Sequence, residues 1–225
     1  MWTTTKQAAQ CGHIKILVHG PAGAGKTRLC ATTGDPEGTL IVSAEAGLLS
    51  LRGEADMHVA EVKSLAQVEE VLAFLEGPDN GFRWVCVDSI SEIAEVCLAE
   101  LKARTKDPRQ AYGEMADAMF RVIRRFRDLP VSVYMSSKQE KVSDESGRLL
   151  RGPSLPGKQL TQGIPFLFDE VFALRVEAGE DGQPVRWLQT QPDGIYEAKD
   201  RSGTLDMSEW PELSAIANKI NPPAA

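Results

Sequence analysis

Apolar residues in this chain fall in short runs of four or five, separated by polar stretches with helical spacing. That rhythm predicts strands alternating with helices. Ile14 to Val18 is the first run, followed by a turn across Gly20–Gly25 and a helix-compatible stretch from Lys26. Thr39 to Ser43 is a second buried-strand candidate and Met57 to Val62 a third. Ser64-Leu-Ala-Gln67 has the capping-box layout and opens a helix to about Glu76, which Gly77-Pro-Asp-Asn-Gly81 breaks. Arg83 to Asp88 is another buried strand, with helix-rich sequence from Ser89 to about Arg104. A polar loop from Arg104 to Gln110 then precedes a long amphipathic helix that ends near Asp128, before Pro130. Val131 to Ser137 is the next strand. From Lys138 to about Gly163 the chain is polar and rich in Gly, Ser and Pro, and it reads as a loop too long for a plain connection. Asp169 to Val176, Val185 to Thr190 and Ile195 to Lys199 read as strands joined by turns at Gly179–Gly182 and Pro192–Gly194. A last helix near Ser208–Lys219 precedes a Pro/Ala tail expected to be disordered.

Strands alternating with helices, then a run of hairpins, imply a mainly parallel α/β sheet with an antiparallel extension. Composition narrows the class: 225 residues, 42% hydrophobic and 25% charged, exclude a fibrous or wholly disordered chain. One domain, or a domain with a small appendage, is expected. No apolar run approaches the roughly 20 residues needed to span a bilayer, and the start lacks the layout of a secretory signal, so a cytosolic protein is expected. The four cysteines, Cys11, Cys30, Cys86 and Cys97, have no metal-ligand spacing, and Cys30 and Cys86 read as small core residues. A net charge of −7 argues against nucleic-acid binding through overall charge, so any such contact needs a local basic surface.

The candidate chemistry begins at Gly20-Pro21-Ala22-Gly23-Ala24-Gly25-Lys26-Thr27, which fits GxxxxGK[ST] in full, with a strand before it and a helix after. In such a loop the backbone N–H groups converge on the β-phosphate, Lys26 reaches the β- and γ-phosphates, and the Thr27 hydroxyl ligates Mg²⁺. The expected nucleotide-binding segment is Gly20 through Arg28. Asp88 ends an apolar strand and suits the carboxylate that holds the Mg²⁺ hydration shell, although an acid there also suits a helix N-cap. Glu45 follows the second strand. A carboxylate there can position the attacking water, or it can be an exposed acid in the first turn of a helix; spacing alone leaves both readings open.

These residues carry a resemblance. The segment around Glu45 resembles the catalytic-glutamate segment of RecA-type recombinases, and Ala198-Lys199-Asp200-Arg201-Ser202-Gly203 resembles the lysine/arginine hairpin of RecA-like recombinases and replicative hexameric helicases. The ordered set runs from the P-loop through Ala111-Tyr-Gly-Glu-Met115 and Phe168-Asp-Glu-Val171 to that hairpin. Over about Ile14 to Asp206 it is similar to a group of short phage proteins, the RecA-core single-strand-annealing ATPases of the phage nucleotide-binding, AAA-type family. The resemblance implies a RecA-like P-loop NTPase core over 14–206, an N-terminal arm over 1–13 and a C-terminal helix and tail over 207–225. It implies ATP and Mg²⁺ as cofactors, and head-to-tail self-assembly into a filament or ring. Lys199 and Arg201 would reach a neighbour's γ-phosphate, with Lys26 and Glu45 as the catalytic pair in cis.

The same resemblance implies single-stranded DNA as partner, a single-strand-binding protein as optional helper, no membrane, and the host bacterial cytoplasm. The segments matching the DNA loops are Arg104–Tyr112, with Arg104, Lys106 and Arg109, and Lys138–Gly163, with Lys141, Arg148, Arg151 and Lys158. Both are net basic, as a phosphate-tracking surface requires. Tyr112 is the single aromatic placed for stacking, at one boundary. Arg121, Arg124, Arg125 and Arg127 read as a solvated or interfacial helix face. Ser136-Ser137-Lys138 stands where the family carries its γ-phosphate sensor, which puts Ser137 in that place. The first residues read as a frayed terminus, or as a tether anchored by Trp2. Two other readings stay open: a nucleotide-switched loader or adaptor, and a small-molecule P-loop kinase with the long loop as its lid.

Overall fold

The computed structural model describes residues 2, 4, 12–45, 47–78, 80–143 and 147–222. Cys11, most of the expected N-terminal arm, Asp144, Glu145 and the last three residues lie outside the described residues. In chain order the first half holds β1 (Lys15–His19), α1 (Lys26–Leu29), β2 (Thr39–Ser43), β3 (His58–Glu61), α2 (Leu65–Leu75), β4 (Trp84–Asp88), α3 (Ile90–Arg104) and α4 (Pro108–Asp128). Then follow β5 (Ser132–Ser143), β6 (Leu149–Ser154), α5 (Lys158–Gly163), β7 (Glu170–Ala178), β8 (Pro184–Gln189), β9 (Lys199–Asp200), β10 (Ser208–Glu209) and α6 (Leu213–Ile220).

The sheet has the order β10-β8-β7-β1-β5-β4-β2-β3, parallel from β7 to β3 and antiparallel at the β8 end. Its central strands are buried on both sides, so consecutive side chains feed two separate cores. Leu17, Val85, Val87, Val133 and Met135 pack with α2, α3 and α4 on one face. Ile16, Val18, Ile41, Cys86 and Tyr134 pack with Leu29, Leu213 and Ile216 on the other. Helices on both faces, a mainly parallel sheet and an antiparallel extension are the architecture the chain was expected to adopt. Among the described residues no helix is long and apolar enough to cross a membrane.

Local signals set most boundaries. Ser64 caps α2, its hydroxyl accepting from Gln67 N at 3.2 Å while Gln67 Oε1 accepts from Lys63 N at 2.7 Å. Asp107 caps α4, accepting from Arg109 N at 2.9 Å, and Pro108 takes the first helical position. This corrects the polar loop expected from Arg104 to Gln110: the α3–α4 connection is only Thr105 to Asp107, and Arg109 lies in the first turn of a helix.

A larger correction concerns Lys138–Gly163. It is not a loop. Strand β5 runs on past the sheet to Ser143 and turns back as β6, pairing Lys138 with Ser154 through to Ser143 with Leu149, and α5 follows. Residues 195–197 add a third rung, with Arg151 N donating to Ile195 O at 2.7 Å and Glu197 N to Arg151 O at 2.8 Å. The strand expected over Ile195–Lys199 is accordingly reduced to that bridge and β9. Ser208–Glu209 pairs with β8, and the final helix starts only at Leu213, after Pro211.

Candidate active site

Four strand ends meet at the carboxyl edge of the sheet, where β1 leads into the P-loop. The loop turns tightly: Gly23 and Gly25 have φ of 73° and 107°, in the left-handed region open to glycine at low cost. The helix behind it is short, one turn over Lys26–Leu29 continued as a 3₁₀ turn over Cys30–Thr32. Tertiary contacts hold it. Buried Tyr134 on β5 donates its hydroxyl to Lys26 O at 2.8 Å, and Thr32 Oγ1 accepts from Leu213 N at 2.9 Å. The Lys26 ammonium donates to Gly20 O at 2.9 Å and Pro21 O at 3.0 Å. Burial lowers its pKa, while the carboxylates of Asp88 and Glu45 nearby oppose that shift.

Asp88 lies at the end of β4, 2% exposed. Thr27 Oγ1 donates to its Oδ2 at 2.6 Å, and Ser136 donates to its Oδ1. The N-cap of α3 is Ser89, whose hydroxyl accepts from Glu92 N at 3.3 Å, so the Asp88 carboxylate is spared the capping role. The Asp88–Ser89 peptide is cis. Glu45 is not in a helix: it follows β2, its N–H reaches Asp88 O at 3.4 Å, and its carboxylate accepts from the Ser89 hydroxyl. A hydroxyl beside a carboxylate oxygen is the donor set Mg²⁺ takes in phosphate sites, one or two protein oxygens with water completing the shell. Thr27 and Asp88 fit that ion. Ser137, expected as sensor, is fully buried with no hydrogen-bond partner for its hydroxyl among the described residues, and its neighbour Ser136 is the residue that touches Asp88.

Residues missed in the sequence complete this end of the sheet. His19, the last residue of β1, is fully buried. Its Nε2 donates to Glu197 O at 2.7 Å, and its Nδ1 accepts from Gln139 Nε2 at 3.1 Å. Burial, with the charge of Lys26, brings its pKa down to about 4 against the Glu197 hydrogen bond. The imidazole thus ties the strand before the P-loop to the base of the β5–β6 hairpin. Ser136, Tyr134 and His19 carry no motif; the alternation of β5 would have marked the first two only once β5 was known to lie between β1 and β4.

Other expected residues lie elsewhere. Lys199 donates to Pro165 O at 2.8 Å and to Phe168 O, and Arg201 pairs with Asp169 at 2.8 Å. Asp169 N donates to Lys15 O at 3.0 Å, so Asp169, with the Arg201 it holds, sits toward the amino end of β1, five residues before the P-loop and about 16 Å from it at strand rise, whereas Lys199 pairs with Val171 at the level of Leu17. Buried Glu170 is beside Asp200; burial first, and that charge second, raise its pKa to about 7. Arg151 is not a free loop cation: it donates to Tyr196 Oη and lies 5.1 Å from that ring, whose other contact is Arg175 at 3.9 Å. Arg104, Lys106, Arg109, Lys141, Arg148 and Lys158 are exposed. On the α4 face, Arg121 pairs with Glu69, Arg125 with Glu76 and Arg127 with Asp128, a solvated ion-pair surface.

A mainly parallel α/β sheet whose central strand opens into GxxxxGKT, with the Thr hydroxyl on the carboxylate of a strand one removed, is a P-loop NTPase. The AAA domain family matches residues 13–202, and the chain belongs to it as an AAA-type P-loop ATPase. That family generally uses a nucleotide and Mg²⁺. No curated protein matches the chain. Among solved structures, a KaiC-like protein from the hyperthermophilic archaeon Pyrococcus horikoshii is similar at 13% identity, over 78% of this chain and 77% of that one, with a TM-score of 0.49.

Proposed function

We propose that the protein is an ATP-driven, single-stranded-DNA-binding recombination or annealing protein of RecA-like type that assembles head-to-tail with ATP between copies. Lys26 and the loop amides hold the phosphates, Thr27 and Asp88 hold Mg²⁺, and Glu45, steadied by Ser89, orients the attacking water. The observation that carries this reading is the separation of charges along β1. Catalytic acids and Lys26 gather at the carboxyl end, while the Lys199 ammonium is held by Pro165 O and Phe168 O and exposed Arg201 by Asp169, toward the amino end. Cations placed so suit a triphosphate on another copy, where they would offset developing charge as arginine fingers do.

Support for DNA comes from Tyr112, 40% exposed. Lys102 Nζ lies 4.9 Å from its ring centre, and Gly157, next to Lys158, packs so close that a Cβ there would lie 3.3 Å from the ring. The α3–α4 corner and the start of α5 thus share one aromatic, and exposed Arg104, Lys106, Arg109 and Lys158 belong to those two segments, as a stacking surface with phosphate partners requires. The test is ATP turnover with and without single-stranded DNA, read beside sedimentation size, for the wild type and Arg201→Ala. Turnover and size should both rise with DNA, and Arg201→Ala should bind nucleotide yet lose hydrolysis. A DNA-indifferent monomer refutes the reading.

A further inference from the structure

Strand β9 is only two residues long, yet it sets the direction of both cations proposed to act on a neighbouring copy. A strand turns successive side chains to opposite faces. Lys199 and Arg201 therefore share one face, where Lys199 reaches Pro165 O and Phe168 O and Arg201 reaches Asp169. Asp200 stands between them and turns to the other face, opposite Glu170 on β7. Its carboxylate gathers the turn that follows. Oδ1 accepts from Ser202 Oγ at 2.6 Å and Gly203 N at 2.8 Å, and Oδ2 from Leu205 N at 3.1 Å. Whatever holds Asp200 thus holds the whole segment from Lys199 to Leu205.

Glu170 is the group that Asp200 rests on. It is 1% exposed, and its carboxyl is in hydrogen-bond contact with that of Asp200. Ser202 N donates to its Oε1 at 3.2 Å, while its Oε2 is buried with no donor in reach among the described residues. Two carboxyl groups in contact away from water cannot both be ionised, so the pair holds one proton. The three donors on Asp200 put the negative charge there and the proton on Glu170. The charged groups of the surrounding elements do not take its place. Asp169 is matched by Arg201, and Lys199 is engaged by carbonyls. Lys15, on adjoining β1, donates to Leu129 O at 2.7 Å and to Val131 O. Lys219, on α6, is paired with Asp206 and Glu209. Burial first, and the Asp200 charge second, keep the Glu170 carboxyl protonated up to about pH 7.

We propose that Glu170 is the positioning residue for Lys199 and Arg201: as a neutral acid it donates to Asp200 and keeps both cations presented to the neighbouring copy. When it gives its proton to water, the two carboxylates repel and the segment comes loose. The proposal rests on the reading of these cations as acting between copies. The test compares wild type with Glu170→Gln, whose amide donates to Asp200 at any pH and has no proton to lose. Amide-exchange protection at Gly203 and Leu205, measured by NMR on the full chain, reports the clasp without any assembly. In wild type it should fall about tenfold from pH 6 to 8, because a group with a pKa of about 7 keeps its proton in roughly one molecule in ten at pH 8. In Glu170→Gln it should stay level. ATP turnover by the DNA-bound assembly is the second readout. The variant should match wild type within about twofold at pH 6 and exceed it about tenfold at pH 8, with equal nucleotide binding by the free chains. A merely structural role would leave the ratio of variant to wild type unmoved by pH. Level protection in wild type, or a turnover ratio independent of pH, overturns the proposal. Should Glu170→Gln fail to fold, the wild-type protection profile decides alone. A wild type that exchanges as expected but neither assembles nor hydrolyses ATP refutes the action between copies, and with it the purpose assigned to the clasp.

Discussion

Replacing His19 by glutamine tests how the end of β1 is built. Glutamine can donate to Glu197 O and accept from Gln139 as the neutral imidazole does, but it cannot take up a proton. In the folded chain burial holds the His19 pKa at about 4, against 6.5 for the free side chain. The unfolded chain therefore binds a proton below pH 6.5 that the folded chain refuses until about pH 4. The stability His19 contributes is complete above 6.5 and is lost as the pH falls through that window. At 1.36 kcal/mol per pKa unit the loss amounts to about 3 kcal/mol, a large part of a domain's usual margin. Urea unfolding of wild type and His19→Gln between pH 7.5 and 4 measures it. The difference between the two should shift by about 3 kcal/mol across the window, in favour of the glutamine variant at acid pH. A difference independent of pH would refute the account, because it would mean that the folded chain protonates His19 as readily as the unfolded chain.

Glu170 runs in the opposite sense. Its folded pKa of about 7, against 4.5 for the free side chain, means that the folded form holds a proton the unfolded form has released. Its contribution is full below 4.5 and is lost as pH rises through 7, so Glu170→Gln should gain on wild type in melting temperature from pH 5 to 8; a constant offset argues against this. Tyr134→Phe deletes the hydroxyl on Lys26 O without opening a cavity, and should cost about 1 kcal/mol in urea unfolding. No measurable change would show that the bond does not hold the P-loop helix. Asp88→Asn keeps the size but removes the charge beside Thr27; Mg²⁺-dependent hydrolysis should fall at least about 100-fold while metal-free nucleotide binding persists. Hydrolysis near the wild-type rate would dismiss Asp88 as the metal carboxylate.

The parts legible in the sequence share a physical cause: each is set by residues adjacent along the chain. The P-loop is a backbone shape that demands its glycines in place, and the cap at Ser64 is a bond spanning three residues. The β5–β6 hairpin escaped because both of its faces meet solvent, so Lys138 to Ser143 show no apolar alternation; its regularity comes from pairing with β6 and from Arg151 resting on Tyr196. The expected helix start at Ser208 failed for a related reason. Ser208–Glu209 finds a partner strand in β8, and pairing across the sheet outweighs local helical preference.

One-dimensional pattern was thus enough for the alternation of strands and helices, for the phosphate loop, and for Asp88 and Glu45 as acids at strand ends, since short-range sterics and hydrogen bonding dictate all of these. The placing of β5 between β1 and β4 was not written in any window of residues. That order comes from burying two apolar faces at once, and it alone brings Ser136 to Asp88, Tyr134 under Lys26 and Gln139 to His19. Arg186 belongs with them: 162 residues beyond Ala24, it reaches that residue because an antiparallel hairpin, packed on the far side of β1, carries it there.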